Sequence, residues 1–312
     1  MEALRPSVCW RGKLNGDPLA HITIPIVLVI FKRNESLGKI VSELNRHDIE
    51  ELIIVADGPR NSGEKFETEK ARALAETARA AKVRKIYSPV NQGLRVNLTK
   101  GLTTAFEDSE QLIVLEDDCL PTEAFLESCE NLHKELKKNP RIAGFCGSSF
   151  LPQRFGQGVW RSAKFNVWGW LANRHAWTEF LNSGFLEFSS AELMKHSKSL
   201  NQLPPLAKWE MVRIIKVLDE IDTWDVQFET FCIENGYQFL KPKRTLVKNI
   251  GFGVGATNTT EFGSSLSLEP AGEPVVSGVI PEKASRSFYW IERATRVLRL
   301  LGEFLTKLIR NR

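Results

Sequence analysis

Three short, almost wholly apolar runs constrain this chain more than anything else in it: residues 24–31, 51–56 and 112–115. They are rich in Ile, Leu and Val and lack the polar alternation of a half-exposed strand. Such runs read as strands buried on both faces. Helical patterns separate them, at residues 36–44, 65–81, 94–106 and about 121–138, with shorter strand signals at 84–88 and 141–146. The order β-α-β-α implies a Rossmann-like, mostly parallel central sheet flanked by helices, an α/β fold.

In such a sheet, ligands bind just beyond the carboxyl ends of the strands. The run at 112–115 ends in Glu116-Asp117-Asp118. A carboxylate cluster at that place can hold a divalent metal, and the metal can hold a diphosphate. The same residues also suit a solvated acidic turn. The run at 51–56 ends in Asp57-Gly58-Pro59, a turn signal in which Asp57 either forms the turn or accepts a hydrogen bond from a ligand. Arg33 follows the first run, and Arg95 opens the helix after Asn91-Gln92-Gly93, where backbone N–H groups favour anions. Both arginines fit a surface role equally.

The second half is less regular. Residues 150–177 are aromatic and loop-rich, helical patterns return near 205–219 and 225–235, and 245–260 reads as a loop. Five scattered cysteines, none at a Cys-x-x-Cys spacing, indicate neither a zinc site nor a disulfide framework. Residues 1–13 lack the apolar core of a signal peptide, so a cytoplasmic location is expected. The formal charge of the chain is +4, yet residues 286–312 hold seven Arg or Lys against Glu292 and Glu303. The rest is close to neutral, which argues against nucleic acid as a partner. In this tail Trp290, Ile291, Ala294, Val297, Leu298, Leu301, Phe304, Leu305 and Leu308 recur at three- and four-residue steps, with basic residues between them. That is a C-terminal basic amphipathic helix. It suits an anionic membrane surface, at the inner face of a membrane, or packing against the body or a second subunit.

Seven segments then line up in order: 25–30, 51–58, Asn91-Gln92-Gly93-Leu94, Leu115-Glu116-Asp117-Asp118, Val167-Trp168-Gly169-Trp170, Thr223-Trp224-Asp225 and Asn249-Ile250-Gly251-Phe252-Gly253. Together they resemble nucleotide-sugar glycosyltransferases of the A fold, similar to family 2 enzymes and to the N-acetylglucosaminyltransferase I type. The resemblance covers roughly residues 22–262. It implies a catalytic domain at 22–270, with a nucleotide-binding half (22–146) and an acceptor half (147–270), preceded by an extension (1–21). A linker (271–285) and the helix (286–312) follow.

What the resemblance implies is a metal-dependent, inverting transfer from a nucleoside diphosphate sugar, a UDP-sugar for preference, to an acceptor hydroxyl. Asp118 would be the ligand of Mn²⁺ or Mg²⁺, Asp117 would meet the ribose, Glu116 would lie near the donor sugar, Asp57 would accept from the N–H of a uracil ring, and Arg33 would meet the base or a phosphate. Asp225 would be the general base, with Asp222 as a nearby substitute; an Asp at that place also suits a helix N-cap. Trp168 and Trp170 would face a sugar or pack in the core, and Asn249 and Gly251 would belong to a loop closing on the diphosphate. The acceptor would be a carbohydrate or lipid-linked molecule, as in polysaccharide or glycolipid biosynthesis. Two departures bear on this. Many relatives carry a His beyond the last segment, where this chain has Gly255-Ala256-Thr257-Asn258, so one metal or phosphate contact is in question. The Gln-x-x-Arg-Trp motif of processive synthases is absent. A nucleotidyltransferase remains an alternative, although its Gly-rich basic loop is represented by one Gly, Gly38. So does a catalytically inactive sugar-nucleotide-binding or scaffold protein.

Overall fold

The computed structural model describes residues 20–203, 205–252, 268–276 and 280–310. In chain order the strands are β1 (His21–Ile22), β2 (Ile26–Ile30), β3 (Asp48–Ile49), β4 (Glu51–Ala56), β5 (Lys82–Tyr87), β6 (Gln111–Glu116), β7 (Cys119–Pro121), β8 (Ile142–Cys146), β9 (Val159–Ser162), β10 (Trp170–Asn173), β11 (Gln238–Pro242) and β12 (Val247–Asn249). Eight form one sheet in the order β5-β4-β2-β6-β10-β8-β11-β9. Neighbours from β5 to β6 are parallel, as are β8 and β11, while β10 runs antiparallel to β6 and β8. The helices are α1 (Asn34–Leu44), α2 (Lys65–Ala75), α3 (Leu94–Phe106), α4 (Glu123–Lys138), α5 (Arg174–Asn182), α6 (Ser190–His196), α7 (Pro205–Lys216), α8 (Asp225–Glu234) and α9 (Arg286–Arg310).

Alternation along β2 shows why its residues had to be apolar throughout. Ile26, Leu28 and Ile30 join the core under α1, α2 and α4, whereas Val27 and Val29 join the core under α3, α5 and α8. A slip of one residue would exchange the two sets, so the register is firmly specified. Helix α2 stops at Ala75, short of the expected 81. The reason is competition from the sheet: the N–H groups of Ala81 and Lys82 already donate to Ile49 and Glu50.

The second half holds more order than its composition implied. Trp170–Asn173 is a central strand, buried at every position. Because β10 is antiparallel, it is the residues before it that arrive at the carboxyl edge of the parallel strands. Trp170 pairs with Val114, so Val167 and Trp168 lie beside the end of β6.

Residues 268–276 cross α4, where the Val275 N–H donates to the Ser128 hydroxyl at 2.8 Å. Helix α9 then returns to the body. No described helix is long and apolar enough to cross a membrane. The first turns of α9 dock by a charged face: Glu292 and Arg293 are buried, while Leu298 is 67% exposed and Trp290 is 39% exposed. Arg293 and Arg296 pair with Glu210 of α7, so two of the tail's basic residues are turned inward.

Candidate active site

A cavity of about 430 Å³ opens at the carboxyl edge of the sheet. Its lining joins the ends of β2 (Arg33), β4 (Asp57) and β6 (Glu116, Asp117, Asp118) to Trp168, Asp222, Asp225 and Asn249. The parallel strands β2, β4 and β6 therefore deliver their following residues to one edge, as strand geometry requires.

The acidic segment is firmly held. The Asp117 carboxylate accepts from the Phe31 N–H at 3.0 Å and from Arg33 at 3.3 Å. Asp118 pairs with the Arg33 guanidinium and accepts from the Cys119 thiol at 3.3 Å. Its main-chain carbonyl accepts from the Ile250 N–H at 2.8 Å, which folds the Asn249–Gly251 segment over it. Gly251 is needed there: a Cβ would stand 2.3 Å from Asp118 Oδ2. Asn249 in turn accepts from the Gly251 N–H at 2.9 Å.

Crowding of like charges shows in the acid–base behaviour. Burial pushes the Glu116 carboxyl well above the usual range, and Asp118, Asp117 and Asp225 push it further. Burial raises Asp117 to about 6 against the pull of Arg33. Burial opposes the charge on Arg33, but the neighbouring carboxylates outweigh it and raise its pKa. Burial and the adjacent acids also raise the Cys119 thiol, which keeps it protonated and unreactive.

Three carboxylates around one guanidinium leave a surplus of negative oxygen donors. Among the described residues, no group of three or more His, Cys, Asp or Glu forms a complete metal cage. This partial, all-oxygen set fits Mg²⁺ or Mn²⁺, which take one or two carboxylates and complete their shell with phosphate and water. It does not fit a dedicated protein cage.

Asp57 is occupied differently from the expectation. Its two oxygens accept from the Gly58 N–H (2.8 Å), the Gln92 N–H (2.9 Å), the Gly93 N–H (3.0 Å) and the Asn91 side chain (2.8 Å). Four hydrogen bonds fill a carboxylate, so Asp57 shapes the 91–93 loop and has no acceptor position left for a base.

Arg95 requires a plainer correction. It does not line the cavity, and its side chain donates to the Leu186 carbonyl at 3.4 Å. The N-terminus of α3 is taken by Asp222, which accepts from the N–H groups of Leu94 (2.5 Å) and Arg95 (3.2 Å). A carboxylate from 128 positions away thus fills the expected anion site. Gly93 permits the approach: its φ is 83°, and a Cβ would sit 2.5 Å from Asp222. The same bonds make Asp222 a clamp rather than a spare base.

Asp225 begins α8 but does not cap it, since the capping position is Trp224. Its carboxylate accepts from the Thr223 hydroxyl and faces the cavity. Trp224 is the anchor behind it, 1% exposed and packed on Trp170, Trp177 and Phe228. Trp170 is likewise a core residue, 1% exposed, and is withdrawn from the site. Trp168 does reach the cavity, braced edge-on by Phe150 and Phe252. Asn258, with the rest of 253–267, lies outside the described residues.

The family model "Glycosyl transferase family 2" matches residues 26–170, from β2 through the start of β10. The matched segment is just under half of the 312-residue chain and is similar to this family. The match supports a glycosyltransferase that uses nucleotide sugars, and the mostly parallel sheet flanked by helices is consistent with the A fold. No curated protein sequence matches the chain.

Three solved structures are similar at a distance. A UDP-glucose pyrophosphorylase complexed with UDP-glucose shares 8% identity, with 73% of this chain and 94% of that one covered, at a TM-score of 0.34. Mouse xyloside xylosyltransferase 1 in its apo form shares 13% identity, with 69% and 84% covered, at 0.29. A 4-diphosphocytidyl-2C-methyl-D-erythritol synthase from Anaerococcus prevotii shares 12%, with 51% and 76% covered, at 0.27.

Sequence reasoning did not assign Lys164, Glu229 or Arg296, which line the neighbouring cavity with Asp225. Their signal in the sequence was weak: each is a charged residue in a stretch read as loop or helix surface.

Proposed function

We propose that the glycosyltransferase is metal-dependent and inverting, that its donor is a UDP-sugar, and that Asp225 is the general base. The observation that carries this reading is one cavity lined by the carboxylates of β6 and by the Asp225 carboxylate. Asp118, with Asp117 beside it, would hold Mn²⁺ or Mg²⁺. When bound, the ion supplies Lewis-acid stabilisation of the departing diphosphate.

The chain's own residues do the rest. Asp225 accepts the proton of the acceptor hydroxyl as its oxygen bonds to the anomeric carbon. The bond from that carbon to the diphosphate oxygen breaks, and the nucleoside diphosphate leaves with the electron pair. A single displacement inverts the anomeric centre. The Thr223 hydroxyl holds the Asp225 carboxylate in place, and Trp168 offers a flat face to a sugar ring. The loop shaped by Asp57 supports the uracil with backbone groups. Asn249 and Gly251 belong to the segment that covers the diphosphate.

Thermal unfolding with UDP, GDP, ADP and CMP, each with and without Mn²⁺, tests the donor and the metal together. UDP with Mn²⁺ is expected to stabilise the protein by about 2.7 kcal/mol at a hundred times its Kd. Asp118→Asn is expected to remove the metal-dependent part and Asp225→Asn to leave it. No shift with any nucleotide, or a UDP shift indifferent to Mn²⁺, overturns the reading. Retained anomeric configuration in the product overturns the single displacement.

A further inference from the structure

Behind Trp168 lies a second cavity of about 150 Å³, which shares Val167, Trp168 and Asp225 with the first. Of its other walls, Met211 on α7, Glu229 on α8 and Arg296 on α9 lie outside the matched family segment, and Phe150 and Lys164 lie within it. Charged side chains of both signs surround it. Lys164 pairs with Glu229, Arg296 pairs with Glu210 at 3.3 Å, and Arg293 bridges Glu210 and, at 3.8 Å, Glu229. With Asp225, three cations thus face three carboxylates. Burial lowers the Lys164 pKa, and Arg293 and Arg296 add to that effect against Glu229.

Arg296 has unused capacity. Its guanidinium lies 5.6 Å from the centre of the Phe150 ring, its side chain is 25% exposed, and its buried Nε has no hydrogen-bond partner. An unpaired buried donor is costly, and a planar guanidinium is shaped for a carboxylate or phosphate. Phe150 and Trp168 supply apolar surface for a sugar ring. A neutral sugar would offer that guanidinium no charged acceptor, whereas a carboxylate or phosphate would.

We propose that this second cavity is an acceptor subsite for an acidic sugar, one carrying a carboxylate or a phosphate, held by Arg296 with Lys164 behind it. The proposal rests on Asp225 being the base, which sets the acceptor hydroxyl at the junction of the two cavities. It also makes α9 part of the acceptor site.

The test is NMR-detected affinity for three probes: methyl β-D-glucuronide, glucose 1-phosphate and methyl β-D-glucoside. At least one acidic probe is expected to bind the wild-type chain about tenfold more tightly than the neutral glucoside. The better acidic probe tells carboxylate from phosphate. R296Q is expected to abolish that preference while keeping the UDP–Mn²⁺ thermal shift. R296K keeps the charge without the planar fork and serves where R296Q does not fold; it is expected to lose part of the preference, about threefold. Equal wild-type affinities, no binding of any probe at millimolar concentration, or an undiminished preference in the folded variant overturns the proposal. An acidic preference without any nucleotide shift keeps the subsite and removes the donor reading instead.

Discussion

The two sides of the cavity use the same side chain in opposite ways. On the side proposed for the donor, carboxylates stand at the ends of β4 and β6, the parallel strands that flank β2, and Asp57, Asp117 and Asp118 are tied to backbone N–H groups or to Arg33 within a few ångströms. On the acceptor side, carboxylates come from helices far apart in sequence and are tied to lysines and arginines. Both carboxylate oxygens of Glu292 of α9 accept from the Lys241 ammonium of β11 at 2.7 Å, and neither residue is more than 2% exposed. The donor side is thus a local product of strand order. The acceptor side exists only once α7, α8 and α9 have met.

The sharpest way to separate the two sides is Asp225→Asn. Transfer is expected to fall about 10²- to 10⁴-fold, the usual worth of a positioned base, with UDP–Mn²⁺ affinity unchanged. A coupled assay beside a nucleotide titration measures both. A loss of nucleotide affinity of the same size would mean that the two sides are one site.

Glu292→Ala attacks the acceptor side through its support. It leaves the Lys241 ammonium buried without a partner, at a cost of about 3–5 kcal/mol in urea unfolding. The pair Lys241→Met with Glu292→Leu is expected to recover most of that stability. If Glu292→Ala costs under about 1 kcal/mol, α9 is only loosely attached and the contrast drawn above fails.

On the donor side, proton competition is the probe. Asp117 sits at about 6 because burial disfavours its charge. Below that pH the group is protonated and opposes a cation; above it the carboxylate is available. Mn²⁺ affinity is therefore expected to rise about tenfold from pH 5 to pH 7 and then level off. A flat profile across that range would detach metal binding from this cluster. The smallest effect belongs to the joint between the sides. Asp222→Ala removes the cap of α3 and is expected to cost about 1 kcal/mol, read by thermal unfolding. It should also weaken UDP binding; an unaltered UDP affinity would show that the clamp does not govern the 91–93 loop.

The sequence made the donor side far easier to read than the acceptor side, for physical reasons. Strands β2, β4 and β6 are buried on both faces, so their composition alone marks them. A strand in such a sheet has its ligand edge at its carboxyl end, which points to Asp57 and Glu116–Asp118 without any coordinates. Asp57 shows the limit: its place was legible, but its four loop partners were not. Arg95 failed because the partner of its helix end, Asp222, lies 127 positions on.

In the acceptor half, Trp170 looks like one more aromatic in a loop, since an antiparallel strand four residues long leaves little pattern. The docking of α9 was hidden most deeply. Amphipathic reasoning assigns charged residues to water, yet Glu292 and Arg293 are among the most buried residues of the helix, because Lys241 and Glu210 await them.

The inward-facing charge on α9 has a genetic corollary. A premature stop ahead of codon 286 looks like the trimming of a dispensable end, well downstream of the family domain. It would strand one sealed ammonium at Lys241 and unseat Phe150, whose N–H donates to Glu292. Such an allele should behave as a loss of the whole protein, and suppressors of it should arise at Lys241.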